Sequence, residues 1–360
     1  MLGTMTWVGL DVHARSTHAA AVDSETGELT RARLGGGCEE VVGWLGALKA
    51  PVKACYEAGP TGFALYRAAS AAGIGIEVVA PGKTPRPAGD RVKTDRKDAE
   101  RLARLLLAGS LEPIAVPSEW VESVRHLSRA REQVRRDLMR ARHRVSKLLL
   151  QHGRVYPEPT TWNQRHRRWL AGQTFEHEPT ELAFIDTLAA VDGLVGRRAA
   201  LDERLSRLAR DERLWPTVAR LRCFRGIDTL TALALHLELG ADWQRFESPK
   251  QLSGWLGLVP SLSQSGESSA SGSITKTGST IARRLLVEAA WHYARSPRIG
   301  VTLQNRQQGQ PDQVLQTAWR AQHRLHRLHH RLKARGKPGN VATVAVAREL
   351  ACFLWAAAVT

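Results

Sequence analysis

Four carboxylates stand out in the first hundred residues: Asp11, Glu57, Asp95 and Asp98. Asp11 closes the apolar run WVGL, and Glu57 sits in the otherwise apolar run CYEAG, so each acid is carried by a segment that favours burial. An unpaired carboxylate among apolar side chains is costly; it must reach water at a strand end, meet a cation or ligate a metal. Asp95 and Asp98 are three residues apart and share one face of a helix. Hard oxygen donors of this kind suit magnesium. Two magnesium ions about 4 Å apart supply the activated oxyanion, the in-line geometry and the charge compensation that phosphodiester cleavage requires. By spacing alone, Asp95 and Asp98 equally fit a solvated helix start paired with Lys93, Arg96 and Lys97.

The chain around these acids is strongly basic, with 52 Lys plus Arg against 35 Asp plus Glu and a formal net charge of +17 over 360 residues. That balance favours a polyanionic partner, and without a lipidation signal nucleic acid is preferred to an acidic membrane surface. Metal-binding acids within a basic chain point to an enzyme that cuts nucleic acid. The length allows two or three domains with their own cores. Cys38, Cys55, Cys223 and Cys352 are far apart with no CxxC pair, which argues against structural zinc or a disulfide framework and fits a reducing cytosol. No basic segment leads into an apolar run at the N-terminus, and Arg348 and Glu349 interrupt the apolar stretch after Val341, so neither end reads as a signal or membrane span.

The elements that must position the acids follow from hydrophobic patterning. Residues 6–34 predict a meander of short strands with a turn at Ser24–Gly27, and Asp11 at the end of the first strand. A helix over Glu39–Leu48, a strand ending at Glu57, an Ala-rich helix over Gly62–Ala72, a strand at Ile76–Ala80 and a helix over Thr94–Leu107 complete an α/β domain of residues 1–112. Apolar residues at helical spacing from Glu119 to Gln151, and again from Glu181 to Arg213, predict two long helices forming an antiparallel hairpin or a dimerising coiled coil over 113–213. A polar connector, Tyr156–Leu170, separates them. The remaining region, 214–360, is mainly helical. It opens with LRCFRGIDTLTALALHLELG, where Gly226 between two helices resembles a helix-hairpin-helix that holds a phosphate backbone. Ser261–Ser273 contains seven serines and two glycines and reads as a mobile loop. His323, His326, His329 and His330 lie in a very basic helix and read as a solvated face rather than a metal site.

These residues resemble a known family, the DEDD-type insertion-sequence transposases of the IS group numbered one hundred and ten. The resemblance rests on GLDVHA at Asp11, YEAGPTG at Glu57 and VKTDRKDAERLARLL at Asp95 and Asp98, then FRGIDTLTA, RFESPKQLSGWLGLVPS, SGESSASGSITKTGSTIARRLL and VAVARELACFLWA. It implies an RNase H-like (RuvC-like) DEDD nuclease domain over 1–112, a helical linker, and a transposase domain over 214–360.

The resemblance also implies a mechanism: a serine in a Ser-Gly element attacks DNA to give a phosphoserine intermediate, with Mg2+ at Asp11, Glu57, Asp95 and Asp98. Here the element reads SQSG, which makes Ser265 the expected nucleophile and Ser263 the weaker one, since Gln264 replaces the first serine of many relatives. Lys276, Arg283 and Arg284 are expected to meet the scissile phosphate; Arg135 and Arg142, on the long basic helix, are expected to meet nucleic-acid backbone. Trp162 and Trp169, among arginines, are the best base-stacking candidates. Expected partners are DNA (element ends and target), a noncoding guide RNA encoded by the element and further copies of the chain in a dimer or tetramer, with no membrane and a cytoplasmic location at the nucleoid. Two rival functions fit the same residues: a RuvC-like junction nuclease in which water attacks, and a noncatalytic nucleic-acid binder.

Overall fold

A computed structural model describes residues 5–49, 51–85, 95–265 and 268–360. The chain divides into two compact units, 1–116 and 117–360.

The first unit is built on a five-stranded mixed sheet. Strands β1 (Thr6–Val12), β2 (Ser16–Asp23) and β3 (Leu29–Gly35) form an antiparallel meander. Helix α1 (Cys38–Gly46) leads to β4 (Val52–Glu57), and α2 (Ala64–Ala71) leads to β5 (Gly75–Val79). β4 pairs in parallel with β1, and β5 with β4, giving the order β3-β2-β1-β4-β5. Helix α3 (Asp95–Leu107) completes this RNase H-like unit. Because side chains alternate along a strand, each central strand feeds two cores. Val8, Leu10, Ala54, Tyr56, Ile76 and Val78 are buried together with residues of α1 and α2. Trp7, Cys55 and Val79 meet Leu102 and Leu106 of α3 instead. A sheet covered on both faces explains why these strands read as apolar runs rather than clean alternation.

The second unit begins with α4 (Glu119–Gln151), capped by the Ser118 side chain, followed by α5 (Gln164–Ala171) and α6 (Glu178–Leu208). Val124 near the start of α4 shares a core with Leu205 near the end of α6. Val145 and Leu149, near the end of α4, pack in a second core with Phe184 and Val191 from the first half of α6. The two helices therefore run antiparallel as a hairpin within one chain. The expected polar connector holds α5, whose N-cap Asn163 accepts a hydrogen bond from the His166 N–H.

After it come α7 (Trp215–Leu221), α8 (Thr229–Glu238), α9 (Pro249–Trp255), β6 (Pro260–Ser265), β7 (Ser268–Ile274), α10 (Thr280–Ala290), α11 (Val301–Gln307), α12 (Asp312–Ala334) and α13 (Gly339–Val359). One expectation is corrected here. Within the serine-rich segment, Ser261–Ser265 and Ser268–Ser273 lie in the paired antiparallel strands β6 and β7 rather than in a loop, and residues 266–267 lie outside the described residues. Its serine and glycine composition hid the strands because the backbone ladder, rather than apolar side chains, holds them. α13 is long and apolar enough to span a membrane by length and composition, but Val346, Leu350 and Leu354 are fully buried in the core shared with α9, α10 and α12.

A candidate metal centre and a serine hairpin

Parallel pairing sets Leu10 of β1 opposite Tyr56 of β4, so Asp11 and Glu57 each lie one residue beyond the same rung. α3 brings the other two acids, and Gly9 explains how. A Cβ on Gly9 would lie 2.1 Å from the Ala99 carbonyl oxygen and 2.4 Å from the Ala103 nitrogen, so only glycine lets the α3 backbone rest on β1. Asp95 and Asp98 occupy the first turn of α3, where the helix dipole favours negative charge. Donor atoms of Asp11, His13 and Asp95 consequently lie within 4.8 Å of one another. His13 Nε2 is 3.1 Å from Asp11 Oδ2 and 3.8 Å from Asp95 Oδ1, and His18 Nε2 is 3.9 Å from Asp95 Oδ2. Asp98, only 8% exposed, pairs with Arg101 at 2.9 Å, and the same guanidinium stands 4.0 Å from Glu57 Oε1.

The electrostatics of this cluster are those of crowded acids. Burial raises the Asp11 carboxyl above its usual range; His13 opposes the rise, and the charges of Asp95 and Asp98 reinforce it. Glu57 Oε1 is buried and accepts no hydrogen bond among the described residues. A divalent cation held by Asp11, His13 and Asp95 would relieve the crowding of carboxylates there, and oxygen donors with an imidazole suit such an ion, whereas Glu57 and Asp98 are not in that cluster and both face Arg101. In this arrangement His13 Nε2 and Asp11 Oδ2 are hydrogen-bonded to each other at 3.1 Å. His13 and Arg101 escaped the sequence reading. The available signal for His13 was its place two residues after Asp11, on the same side of an extended chain continued by the His13 N–H bond to Ser16 O.

In the second unit, Ser265 ends β6 opposite Ser268, Gln264 faces Ser269 across the ladder and Ser263 faces Ala270. Both candidate serines thus lie on β6, two residues apart, with Gln264 between them. The base of the hairpin is fixed more firmly than its sequence suggests. Thr275 N–H donates to Val259 O at 2.9 Å, and Lys276 N–H to Gly257 O at 3.1 Å. Gly257 and Gly278 have φ of +65° and +68°, and a Cβ at either would lie within 2.2 Å of backbone, on Thr277 N and Trp255 O respectively. From α10, Arg283 donates to the carbonyl oxygens of Leu256 and Gly278 at 3.0 and 3.1 Å and to that of Thr277.

Comparison with known proteins meets this geometry in both units. Residues 8–153, which contain all four acids, match a DEDD family model described as Transposase, and residues 218–304, which contain the hairpin, match one described as Transposase IS116/IS110/IS902 family. The chain is 40% identical over 359 residues to the putative transposase y4qE of Sinorhizobium fredii, covering 98% of this chain and 88% of that one. It is 31% identical over 339 residues to the transposase for insertion sequence element IS1533 of Leptospira borgpetersenii, covering 92% and 97%. The chain belongs to the IS110 family of insertion-sequence transposases. It is thus a DEDD transposase, an enzyme that binds and acts on DNA, of a class that works with a divalent metal.

The basic residues of this transposase are less free than their number implies. Glu132 on α4, 4% exposed, accepts from Arg135 at 2.9 Å, Arg136 at 3.2 Å and Arg284 of α10 at 2.6 Å. Burial alone would raise its carboxyl, but the Arg135 and Arg284 guanidiniums outweigh burial and hold it below the usual range. Glu238 on α8 accepts from Arg129 at 2.8 Å and from Ser279, the N-cap of α10, at 2.6 Å. Arg283, Arg284 and Arg135 therefore have structural partners. Lys276 is exposed beside the hairpin, with φ of 59°, and Arg142 lies over the Trp162 ring at 4.9 Å. Gly226, expected to face a phosphate backbone, has φ of +81° and packs against Ala289 of α10.

Proposed function

We propose that this transposase excises and inserts its element through a phosphoserine intermediate at Ser265, assisted by Mg2+ held at Asp11, Glu57, Asp95 and Asp98 with His13 as a nitrogen donor. The observation that carries the reading is the gathering of Asp11, His13 and Asp95 donor atoms within 4.8 Å, with Glu57 at the end of the neighbouring strand. A divalent ion held by these residues would supply polarisation of the scissile phosphate and compensation for the charge that builds on it. Ser265 Oγ attacks phosphorus: the Oγ–P bond forms, the P–O bond to the departing strand breaks, and that strand leaves with a free hydroxyl. The proton that Ser265 loses ends, through solvent, on the oxygen of the departing strand, and because an unactivated hydroxyl is a poor nucleophile, nearby positive charge such as Lys276 assists its loss. A hydroxyl of the new partner strand then attacks the phosphoserine, which restores Ser265 and a phosphodiester with no external energy source.

Exposed Lys276 contacts the scissile phosphate in this proposal; Arg283, Arg284 and Arg135 contribute through the N–H groups left over from their structural bonds, and Arg142 meets the strand on α4. The proposal keeps three working parts: nuclease domain 1–112, helical linker 113–213 and transposase domain 214–360. Recombination joins two duplexes, so the chain acts as a homo-oligomer, a dimer or a tetramer, at the bacterial nucleoid. Sequence choice is delegated to a noncoding RNA that pairs with both DNAs, which suits a basic surface that grips backbone.

Trapping tests the proposal. Purified protein incubated with element-end DNA and then denatured is expected to carry covalently attached DNA, and Ser265→Ala to carry none and to lose recombination. Cleavage without an adduct would favour the water-dependent junction nuclease, and undiminished recombination by Ser265→Ala would end the serine mechanism.

A further inference from the structure

The connector between α4 and α6 contains a feature that the transposition chemistry does not use. An open surface hollow of about 560 Å³ lies there, lined by Trp162, Asn163, Gln164, Arg167 and Arg168. Trp162 is held in an unusual backbone conformation, with φ of 64°, and its N–H donates to His166 Nδ1 at 3.0 Å. His166 is itself buried at 4% exposure and stacked on Trp169, so the tryptophan is fixed by a preformed support. Left-handed geometry at a bulky residue is strained and persists only where the surroundings enforce it, a condition met disproportionately at binding sites.

The charges around this indole exceed their acidic partners. Arg142 covers the Trp162 ring at 4.9 Å, and its Nε is buried with no hydrogen-bond partner among the described residues. Its guanidinium pKa is lowered by burial first, then by Arg198 and Arg167. Arg167 has Asp192 as a partner, and Arg198 shares Asp202 with Arg131. A flat aromatic backed by a guanidinium, opening on a hollow with an exposed arginine and an exposed amide, combines a stacking platform with a phosphate site.

We propose that this hollow holds one unpaired nucleotide of a single strand, its base stacked on Trp162, its edge read by Gln164 and its phosphate held by Arg168 and Arg167. The proposal rests on the reading of the chain as a nucleic-acid enzyme and adds a binding site distant in sequence from both the four acids and the serine. RNA and DNA strands share the required chemistry, so the test has an arm for each. Duplex DNA does not, because its bases are already stacked.

The test is fluorescence anisotropy with the full chain and three labelled probes: a ten-nucleotide oligo-U, an oligo-dT of the same length and a duplex. Trp162→Leu is expected to weaken single-strand binding about tenfold and leave duplex binding unchanged, since stacking on an aromatic carries an effect of that order. Trp162→Phe is expected to restore it, and Arg168→Ala to weaken it and flatten its salt dependence. A larger loss with oligo-U than oligo-dT assigns the site to RNA, and the reverse to DNA. A photo-crosslink from 5-iodouridine is expected on the peptide containing Trp162, which reads the site without relying on a variant that folds. Equal single-strand affinity for Trp162→Leu and the parent, a crosslink elsewhere, or displacement of the strand by polyglutamate as readily as by free oligonucleotide overturns the proposal. Those results leave duplex binding intact; a parent chain that binds none of the probes would instead overturn the nucleic-acid reading itself.

Discussion

Gly9→Ala tests whether the metal centre depends on the approach of α3 to β1. The added Cβ would lie 2.1 Å from the Ala99 oxygen, 2.4 Å from the Ala103 nitrogen and 2.8 Å from Leu102 Cβ. The two nearest atoms are backbone, so no side-chain rotation relieves the clash. Restoring even a tight contact of about 3 Å requires α3 to retreat by roughly 1 Å, and overpacking of that kind costs about 1–3 kcal/mol. Because Asp95 and Asp98 ride on α3 while Asp11 stays on β1, the same retreat separates the metal donors. A misplacement of about 1 Å commonly lowers catalysis around a hundredfold. Denaturant unfolding, calorimetric titration with Mn2+ and a plasmid recombination assay measure the three consequences. The control is Gly43→Ala in α1, where a Cβ meets nothing within 4 Å and helix propensity predicts a gain of about 0.5–1 kcal/mol. Parental stability and metal affinity in Gly9→Ala would refute the argument that glycine is required for the centre to assemble.

Three other perturbations separate roles within the two units. His13→Ala is expected to weaken Mn2+ binding more than Mg2+ binding, because imidazole is a softer donor than carboxylate, and an equal effect on both ions in calorimetry would remove His13 from the coordination sphere. Glu132→Ala leaves Arg135 and Arg284 without their shared acid and is expected to cost about 3 kcal/mol in urea unfolding; a loss below about 1 kcal/mol would make the network incidental. His236 is pushed down to about 4 by burial, with Nδ1 accepting from Trp243 Nε1 at 2.9 Å. Its folded pKa is below the unfolded value, so its contribution is full above about pH 6.5 and is lost as pH falls toward 4, by up to about 3 kcal/mol, and a His236→Gln variant should lack that pH slope.

Much of this architecture was legible in the chain. The apolar seam gave α4 its full span from Glu119 to Gln151, and the runs ending at Asp11 and Glu57 marked two neighbouring strands. The acids themselves could be found by type and spacing, but not what surrounds them. Arg101 lies in a helix rich in basic residues, and its link between Asp98 and Glu57 exists only once α3 is laid on the sheet. The pairing of β6 with β7 was hidden for another reason: serine and glycine describe a loop by composition, whereas strand pairing here rests on main-chain bonds and on glycines whose need is visible only in φ. α6 also starts at Glu178, before the expected Glu181, because Pro179 suits the first helical turn, where a missing N–H costs nothing.

The hairpin raises a physical question that its composition makes sharper. The serine proposed as nucleophile needs a fixed trajectory, yet the sequences of β6 and β7 supply few apolar residues able to pack. Rigidity must therefore come from below. Gly257, between α9 and β6, and Gly278, after β7, let those two segments touch through their backbones, and Arg283 gathers three carbonyls that a free loop would leave to water. The same helix α10 begins at Ser279, whose hydroxyl donates to Glu238, and Glu238 is gripped by Arg129 of α4. One turn further on, Arg284 joins Glu132 of α4. Two buried acids thus couple the base of the hairpin to the long helix α4. Basic residues that first suggest phosphate binding serve here to hold main chain and helices in place, a role for which the planar, multiply donating guanidinium is better suited than lysine. Exposed Lys276, at the foot of β7, is by the same logic better placed than Arg283 to meet a phosphate.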